Sequence, residues 1–238
     1  MIPKKIHYIW FGGKPLTPLA QTCLGSWEQN CPGYEIVRWD ESNFNVEANA
    51  YCAQAYKAKK WAFASDYARL WVLVHEGGIY MDTDVELLAP LDTLLDDRAF
   101  LGFEACDRVM TGVMACEAGH EFFARLLAGY EGRMFVDAVG RPDLTTNVSV
   151  VTHALMRAGL MLDGSLQRVE DVSIYPAEYF SPKDWLTGET SLSDNTCAIH
   201  HYDGSWAGMG THLKHSVMRL LGPKGVAFVK RLGQGAGR

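Results

Sequence analysis

The stretch from Lys60 to Asp84 constrains this chain more than any other, because 25 consecutive positions dictate a buried helix, a stop, a strand and a pair of acids. Lys60 to Glu76 (KWAFASDYARLWVLVHE) is apolar nearly all round, interrupted by Ser65, Asp66 and Arg69. A helix apolar on every face belongs inside a core. Gly77-Gly78 supplies its C-terminal stop. Ile79-Tyr80-Met81 then enters a strand whose end carries Asp82-Thr83-Asp84, and Pro90 closes that element.

The flanking sequence repeats the alternation. Ile6 to Phe11 is a short apolar run bounded by Lys4-Lys5 and Gly12-Gly13-Lys14-Pro15, which predicts a buried strand. Pro18 to Asn30 reads as a helix stopped by Pro32-Gly33, and Tyr34 to Trp39 as a second strand, with Asp40 and Ser42 as candidate caps for the next element. Phe100 to Glu104 and Val109 to Cys116 are further strands, followed by a helix from His120 to Tyr130. Thr145 to Ala158 carries Val148, Val151 and Leu155 at helical spacing and ends at Gly159, and Cys197 to Tyr202 is a last strand. Strands alternating with helices predict an α/β domain with a mainly parallel, Rossmann-like central sheet and a ligand site at the carboxyl ends of its strands.

Composition narrows the partners. With 238 residues, 48% of them hydrophobic, the chain can bury a full core. A net charge of −6 argues against a general nucleic-acid binder, which needs clustered Lys and Arg. After Asp203, however, no acid occurs, while Lys214, Arg219, Lys224, Lys230, Arg231 and Arg238 give that tail six positive charges. Such a tail suits a polyanionic partner or an anionic membrane surface, or is merely solvated. The six cysteines form no C-x-x-C pair and read as buried thiols, and only Gly233 to Gly237 looks low-complexity. The apolar run after Met1 is too short for a signal peptide, and no segment reaches eighteen uninterrupted apolar residues. A cytoplasmic, reducing location is expected.

Residues two apart on a strand project to the same side, so Asp82 and Asp84 can face one cation. A hard divalent ion held by carboxylates, and otherwise by water and phosphate, is the chemistry of Mg²⁺ or Mn²⁺ at a diphosphate. An exposed acidic turn is the alternative. Asp66 and Arg69 lie three apart, on one helix face. Two charges inside so apolar a helix are costly unless they pair or face a ligand cavity.

Three blocks, Ile6-His7-Tyr8-Ile9-Trp10-Phe11-Gly12-Gly13, Ser65-Asp66-Tyr67-Ala68-Arg69-Leu70 and Gly77-Gly78-Ile79-Tyr80-Met81-Asp82-Thr83-Asp84, resemble the DXD-containing sugar transferases of glycosyltransferase family 32. They are also similar to the glucosyltransferase domain of the large clostridial toxins. A fourth block, His200-His201-Tyr202-Asp203-Gly204-Ser205-Trp206, resembles the family's C-terminal loop. The resemblance implies a GT-A-like single domain over residues 1–238. Within it, 1–115 would bind the nucleotide sugar, 116–210 would form the acceptor side and a closing loop, and 211–238 would be the basic tail.

It also implies a retaining hexosyltransferase with Mn²⁺ or Mg²⁺ and a nucleotide-sugar donor, usually a UDP-sugar, with GDP-mannose in some members. The acceptor would be a glycan or a lipid-linked sugar, as in surface polysaccharide synthesis. By position, Trp10 would stack on the nucleobase with Ile9 and Gly12 beside it, and Asp66 and Arg69 would hold the donor sugar. Asp82 and Asp84 would serve the metal and ribose, Asn147 would face the donor, and Ser205 and Trp206 would close over the diphosphate. His201 stands where a metal-site side chain is expected, with His200, Asp203 and Ser205 as alternatives.

Two other functions compete. A haloacid-dehalogenase-like phosphatase also places D-x-D after an apolar strand, with Asp82 as nucleophile. That family expects Thr or Val where Glu86 stands, and a motif nearer the N-terminus. A catalytically idle glycan-binding module is the other, although both aspartates and Arg69 are present.

Overall fold

The computed structural model describes residues 1–185 and 187–203. Its strands are β1 (Lys5–Ile9), β2 (Glu35–Trp39), β3 (Gly78–Met81), β4 (Val85–Leu87), β5 (Ala99–Ala105), β6 (Arg108–Val109), β7 (Val113–Cys116), β8 (Gln167–Val169), β9 (Val172–Tyr175) and β10 (Ala198–His200). Its helices are α1 (Pro18–Asn30), α2 (Ala50–Lys57), α3 (Trp61–Glu76), α4 (Glu121–Ala128), α5 (Asn147–Arg157) and α6 (Ala177–Phe180).

The main sheet runs β2-β1-β3-β7-β5-β9-β8, with β6 against β5. β1 lies parallel to β2 and β3, β7 is antiparallel to both β3 and β5, β5 is parallel to β9, and β8 is antiparallel to β9. Five strands therefore share one direction, which is the mainly parallel α/β sheet expected. A separate antiparallel pair, β4 with β10, flanks it.

Local chemistry explains the elements. Thr17 caps α1 by accepting the Ala20 N–H, and Pro18 occupies the first turn, where no donor is lost. The all-round apolar character of α3 is matched by burial of Ala64 to Leu70, Val72 and Leu73, packed against α2, α4, β1 and β3. Gly77 and Gly78 turn the chain from α3 into β3 at φ of 66° and 91°. A Cβ on Gly78 would stand 2.8 Å from the Lys5 carbonyl oxygen and 3.0 Å from His7 Nε2, so the turn requires glycine twice over, by conformation and by space.

His7 is fully buried at that joint. The Trp39 indole N–H donates to its Nδ1 at 3.1 Å, and its Nε2 lies 2.9 Å from the Gly77 carbonyl. Only the neutral tautomer with hydrogen on Nε2 satisfies both contacts. Burial pushes its pKa down to about 4.

The structure adds and trims elements. α2 was not expected; Asn49 caps it by accepting the N–H groups of Tyr51 and Cys52. Asp40 and Ser42 cap no helix: Asp40 accepts both the N–H and the hydroxyl of Ser42 in a turn. The strand expected from Val109 to Cys116 breaks, because Met110 to Gly112 leave the ladder between β6 and β7. The β8–β9 hairpin was also not expected. Cys106 is exposed and Cys197 half-buried, so two of the six thiols depart from the buried expectation. The basic tail, Ser205 and Trp206 lie outside the described residues. Among the described residues, no helix is long and apolar enough to cross a membrane.

Candidate active site

β3 delivers the two aspartates. Its last residue, Met81, pairs with Val113 of β7, and the Asp82 N–H donates to the Gly112 carbonyl at 2.8 Å. The turn Asp82-Thr83-Asp84 closes where Val85 N–H bonds the Asp82 carbonyl, and β4 begins. β10 returns antiparallel to β4 with His200 opposite Val85. That register sets His200 Nε2 3.3 Å from Asp84 Oδ1. One ligand atom each from Asp82, Asp84 and His200 lie within 4.8 Å of one another. Two carboxylate oxygens and an imidazole nitrogen at that spacing fit a divalent cation.

His201, the expected metal-site side chain, turns elsewhere. Its Nε2 sits 2.7 Å from Glu86 Oε2, while its backbone N–H donates to the Asp84 carbonyl. Neighbouring strand residues face opposite sides, so one histidine of the pair must miss the cluster, and the register selects His200. Asp203 contributes its backbone N–H, which donates to Asp84 Oδ2 at 2.9 Å. Burial raises the Asp84 carboxyl, but His200 more than reverses this and holds it below the usual range. His200 is pulled down by burial and lifted above its ordinary value by Asp84.

Behind the aspartates lies a buried charge network. Arg69 Nη2 stands 3.3 Å from Asp66 Oδ1 and 3.3 Å from Asp82 Oδ1, and its Nη1 donates to the Thr111 carbonyl at 2.8 Å. Burial disfavours the guanidinium charge, but Asp82, Tyr80 and Asp66 together hold it above its usual pKa. Burial raises Asp66 to about 6 despite Arg69. The Tyr80 hydroxyl donates to Asp82 Oδ1 at 2.6 Å, and the Arg69 guanidinium lies 4.5 Å from the Tyr80 ring centre. Asn147 is almost fully buried and spends its amide on the protein. Its Nδ2 donates to the Asp66 carbonyl at 2.8 Å, and its Oδ1 accepts from the Tyr130 hydroxyl at 3.0 Å. It therefore holds the Asp66 segment instead of opening toward a ligand.

The first block reaches the same end of the sheet, since β1 and β3 are parallel neighbours. Trp10 is half-buried just past β1, with its indole N–H donating to the Lys14 carbonyl at 2.6 Å. Ile9 is buried in the core with Phe11 and Phe44, which leaves its backbone for any ligand. The Gly12 N–H donates to Glu41 at 2.6 Å, and Glu41 also accepts from Tyr56. Tyr80, Thr111 and Gly112 were not singled out by sequence. A signal existed for Tyr80 alone: two residues before Asp82 on a strand, it had to share that face.

A sequence profile for a glycosyltransferase sugar-binding region containing a DXD motif matches residues 18–101, a span that includes Asp66, Arg69, Asp82 and Asp84. Over that span the chain is similar to the DXD-containing glycosyltransferases. The chain is 27% identical over 233 residues to the uncharacterized glycosyltransferase L373 of Acanthamoeba polyphaga mimivirus, covering 90% of this chain and 86% of that one. It is 28% identical over 134 residues to inositol phosphoceramide mannosyltransferase 3 of Schizosaccharomyces pombe, covering 53% of this chain and 36% of that one. It spans only 25%, 36% and 33% of the length of three of the curated relatives it matches. Among solved structures, the PaToxG glycosyltransferase superposes with a TM-score of 0.48 at 20% identity, covering 66% of this chain and 69% of that one. The profile match across Asp82 and Asp84 favours a sugar-transferase DXD over a phosphatase nucleophile at Asp82.

Proposed function

We propose that the protein is a metal-dependent, retaining hexosyltransferase that takes its sugar from a nucleotide-sugar donor, a UDP-sugar in the first instance, and passes it to a glycan or lipid-linked hydroxyl. The observation that carries this reading is the convergence of Asp82, Asp84 and His200 at the carboxyl end of β3, with Arg69 directly behind. Asp82, Asp84 and His200 would hold the cation, and the imidazole among the donors favours Mn²⁺ over Mg²⁺. Such a cation, when bound, neutralises charge on the leaving nucleoside diphosphate.

The chain's own residues do the rest. Arg69 fixes Asp82 and keeps Asp66 oriented, so the first aspartate meets the diphosphate in one geometry. Asp66 accepts hydrogen bonds from donor-sugar hydroxyls, and Trp10 supplies a stacking face for the nucleobase. Ser205 and Trp206, outside the described residues, would serve to close over the diphosphate and exclude water, the competing nucleophile. The name of the yeast relative supports a lipid-linked acceptor and keeps a mannosyl donor as the second reading. The basic tail would help such an acceptor by docking on an anionic membrane from the cytoplasmic side, as in surface polysaccharide assembly.

The test is a thermal-shift panel of UDP-glucose, UDP-galactose, UDP-N-acetylglucosamine and GDP-mannose with and without Mn²⁺, followed by assay of nucleotide release. A donor that stabilises the protein in Mn²⁺ alone and is slowly hydrolysed supports the reading. Stabilisation by none of the four sinks it. Binding without release of UDP or GDP under any condition favours the idle glycan-binding module.

A further inference from the structure

Two of the three side chains that meet at the end of β3 lean on the same glycine. Gly112 stands just before β7, in the stretch Met110 to Gly112 that leaves the ladder after β6. Its carbonyl accepts the Asp82 N–H at 2.8 Å, and the carbonyl of the preceding Thr111 accepts from Arg69 Nη1 at 2.8 Å. The stretch thus holds both the first aspartate of the DXD turn and the guanidinium behind it. A Cβ placed on Gly112 would stand 3.1 Å from Asp82 Oδ2, 3.3 Å from His200 Cε1 and 3.4 Å from Met110 Cε.

Glycine is required here by space and not by conformation. Gly77 and Gly78 lie at positive φ, whereas Gly112 does not, so alanine can adopt its backbone without strain. The unbranched Met110 can yield to an added methyl. Asp82 and His200 can yield only by backing away from Gly112. Asp82 Oδ1 accepts from the Tyr80 hydroxyl at 2.6 Å and lies 3.3 Å from Arg69 Nη2, while its backbone is tied to Gly112 itself. The His200 ring has Tyr202 4.1 Å away centre to centre, and its backbone is paired opposite Val85. Contacts this tight force each neighbour to shift by a few tenths of an ångström.

We propose that Gly112 is a positioning residue of the cation site: its missing side chain lets Asp82 and His200 close on one ion together with Asp84. This rests on the reading that those three residues hold a divalent cation. A constellation of ligands works only when held within about 0.5 Å of its productive geometry, so displacing two of three at once is felt in affinity. The break between β6 and β7 then serves the site, because it sets a residue without a side chain against both ligands.

The experiment is Mn²⁺ binding to the full chain without nucleotide, measured from the electron paramagnetic resonance signal of the free ion, beside urea unfolding without metal. Gly112→Ala should weaken Mn²⁺ by roughly tenfold or more in protein that the urea curve shows to be folded. A merely structural glycine would lower the urea midpoint and leave the Mn²⁺ affinity of the folded protein as it was. If Gly112→Ala does not fold, the wild type carries the test. Loaded with diamagnetic Mg²⁺, it should show a nuclear Overhauser contact between Gly112 Hα and His200 Hε1, and absence of that contact overturns the proposal. Wild-type Mn²⁺ affinity in folded Gly112→Ala, with binding lost in Asp82→Asn, also overturns it and leaves the cation site standing. Absence of Mn²⁺ binding in the wild type itself overturns both.

Discussion

Arg69 is tied to Asp82 across 3.3 Å, and the same nitrogen reaches Asp66 at 3.3 Å, so one guanidinium sets the first aspartate of the DXD turn and the acid of the preceding helix. Arg69→Met would leave both acids without their cation. Breaking a buried pair by removing one partner costs about 3–5 kcal/mol. Asp66 can escape the cost by protonating, since burial already lifts it to about 6. The loss in urea unfolding free energy should therefore be largest at pH 8 and smaller at pH 5. Arg69→Lys should not restore activity, because a point ammonium does not reproduce the planar fork. An equal loss at both pH values would show that Asp66 is not the group being abandoned.

Asp82→Asn and Asp84→Asn should each leave the protein folded, because they remove charge and no core volume. Each should lower nucleotide-sugar turnover by roughly a hundredfold or more, the rate equivalent of about 3 kcal/mol of lost charge stabilisation. Activity in EDTA-treated protein should vanish and return with Mn²⁺. Steady-state turnover of each variant over a Mn²⁺ series checks this, and undiminished turnover in either would separate the DXD from the chemistry.

The two adjacent histidines should behave differently. His200→Ala removes a nitrogen from the cluster and should weaken Mn²⁺, whereas His201→Ala loses only the contact to Glu86 and should bind Mn²⁺ like the wild type. Titration of the free-ion resonance in both variants decides between them. The reverse order would return the ligand role to His201.

His7 makes a prediction about acid. Its folded pKa, about 4, lies below the unfolded value of 6.5, so the unfolded chain takes up more protons between those limits. The stability His7 contributes is thus complete above pH 6.5 and is lost as pH falls through 4. Asp66, raised to about 6, works the other way across much of the same range, because its folded form keeps a proton the unfolded form releases. The wild-type profile alone blends the two. Urea midpoints of wild type and His7→Gln at pH 7.5, 5 and 4 isolate His7: the wild type should lose stability relative to the variant as pH falls. Parallel profiles would mean His7 is not buried neutral.

How much could be read in advance depended on the range of the contacts. α3, the glycine stop, β3 and the DXD turn were legible because each is fixed by neighbours in sequence. The β8–β9 hairpin was not, since its turn places Glu170 and Asp171 at φ of 50° and 62°, where glycine or asparagine is the usual signal. α2 was missed because Ala50 to Lys57 lacks a clear apolar period, although Asn49 offered a cap. Choosing His200 over His201 needed the β4–β10 register, which no local pattern records.

That register has a consequence for assembly. The backbone N–H of Asp203 reaches Asp84 across 119 positions of chain, and His201 meets Glu86 across 115. Closing so long a loop carries an entropy cost that local elements do not bear, so β10 is expected to dock after the sheet it joins. A nascent or partly refolded chain can hold the DXD turn in its final shape and still lack the imidazole that completes it. Competence to take up the proposed cation would thus be acquired late, and cation uptake during refolding would report the arrival of β10.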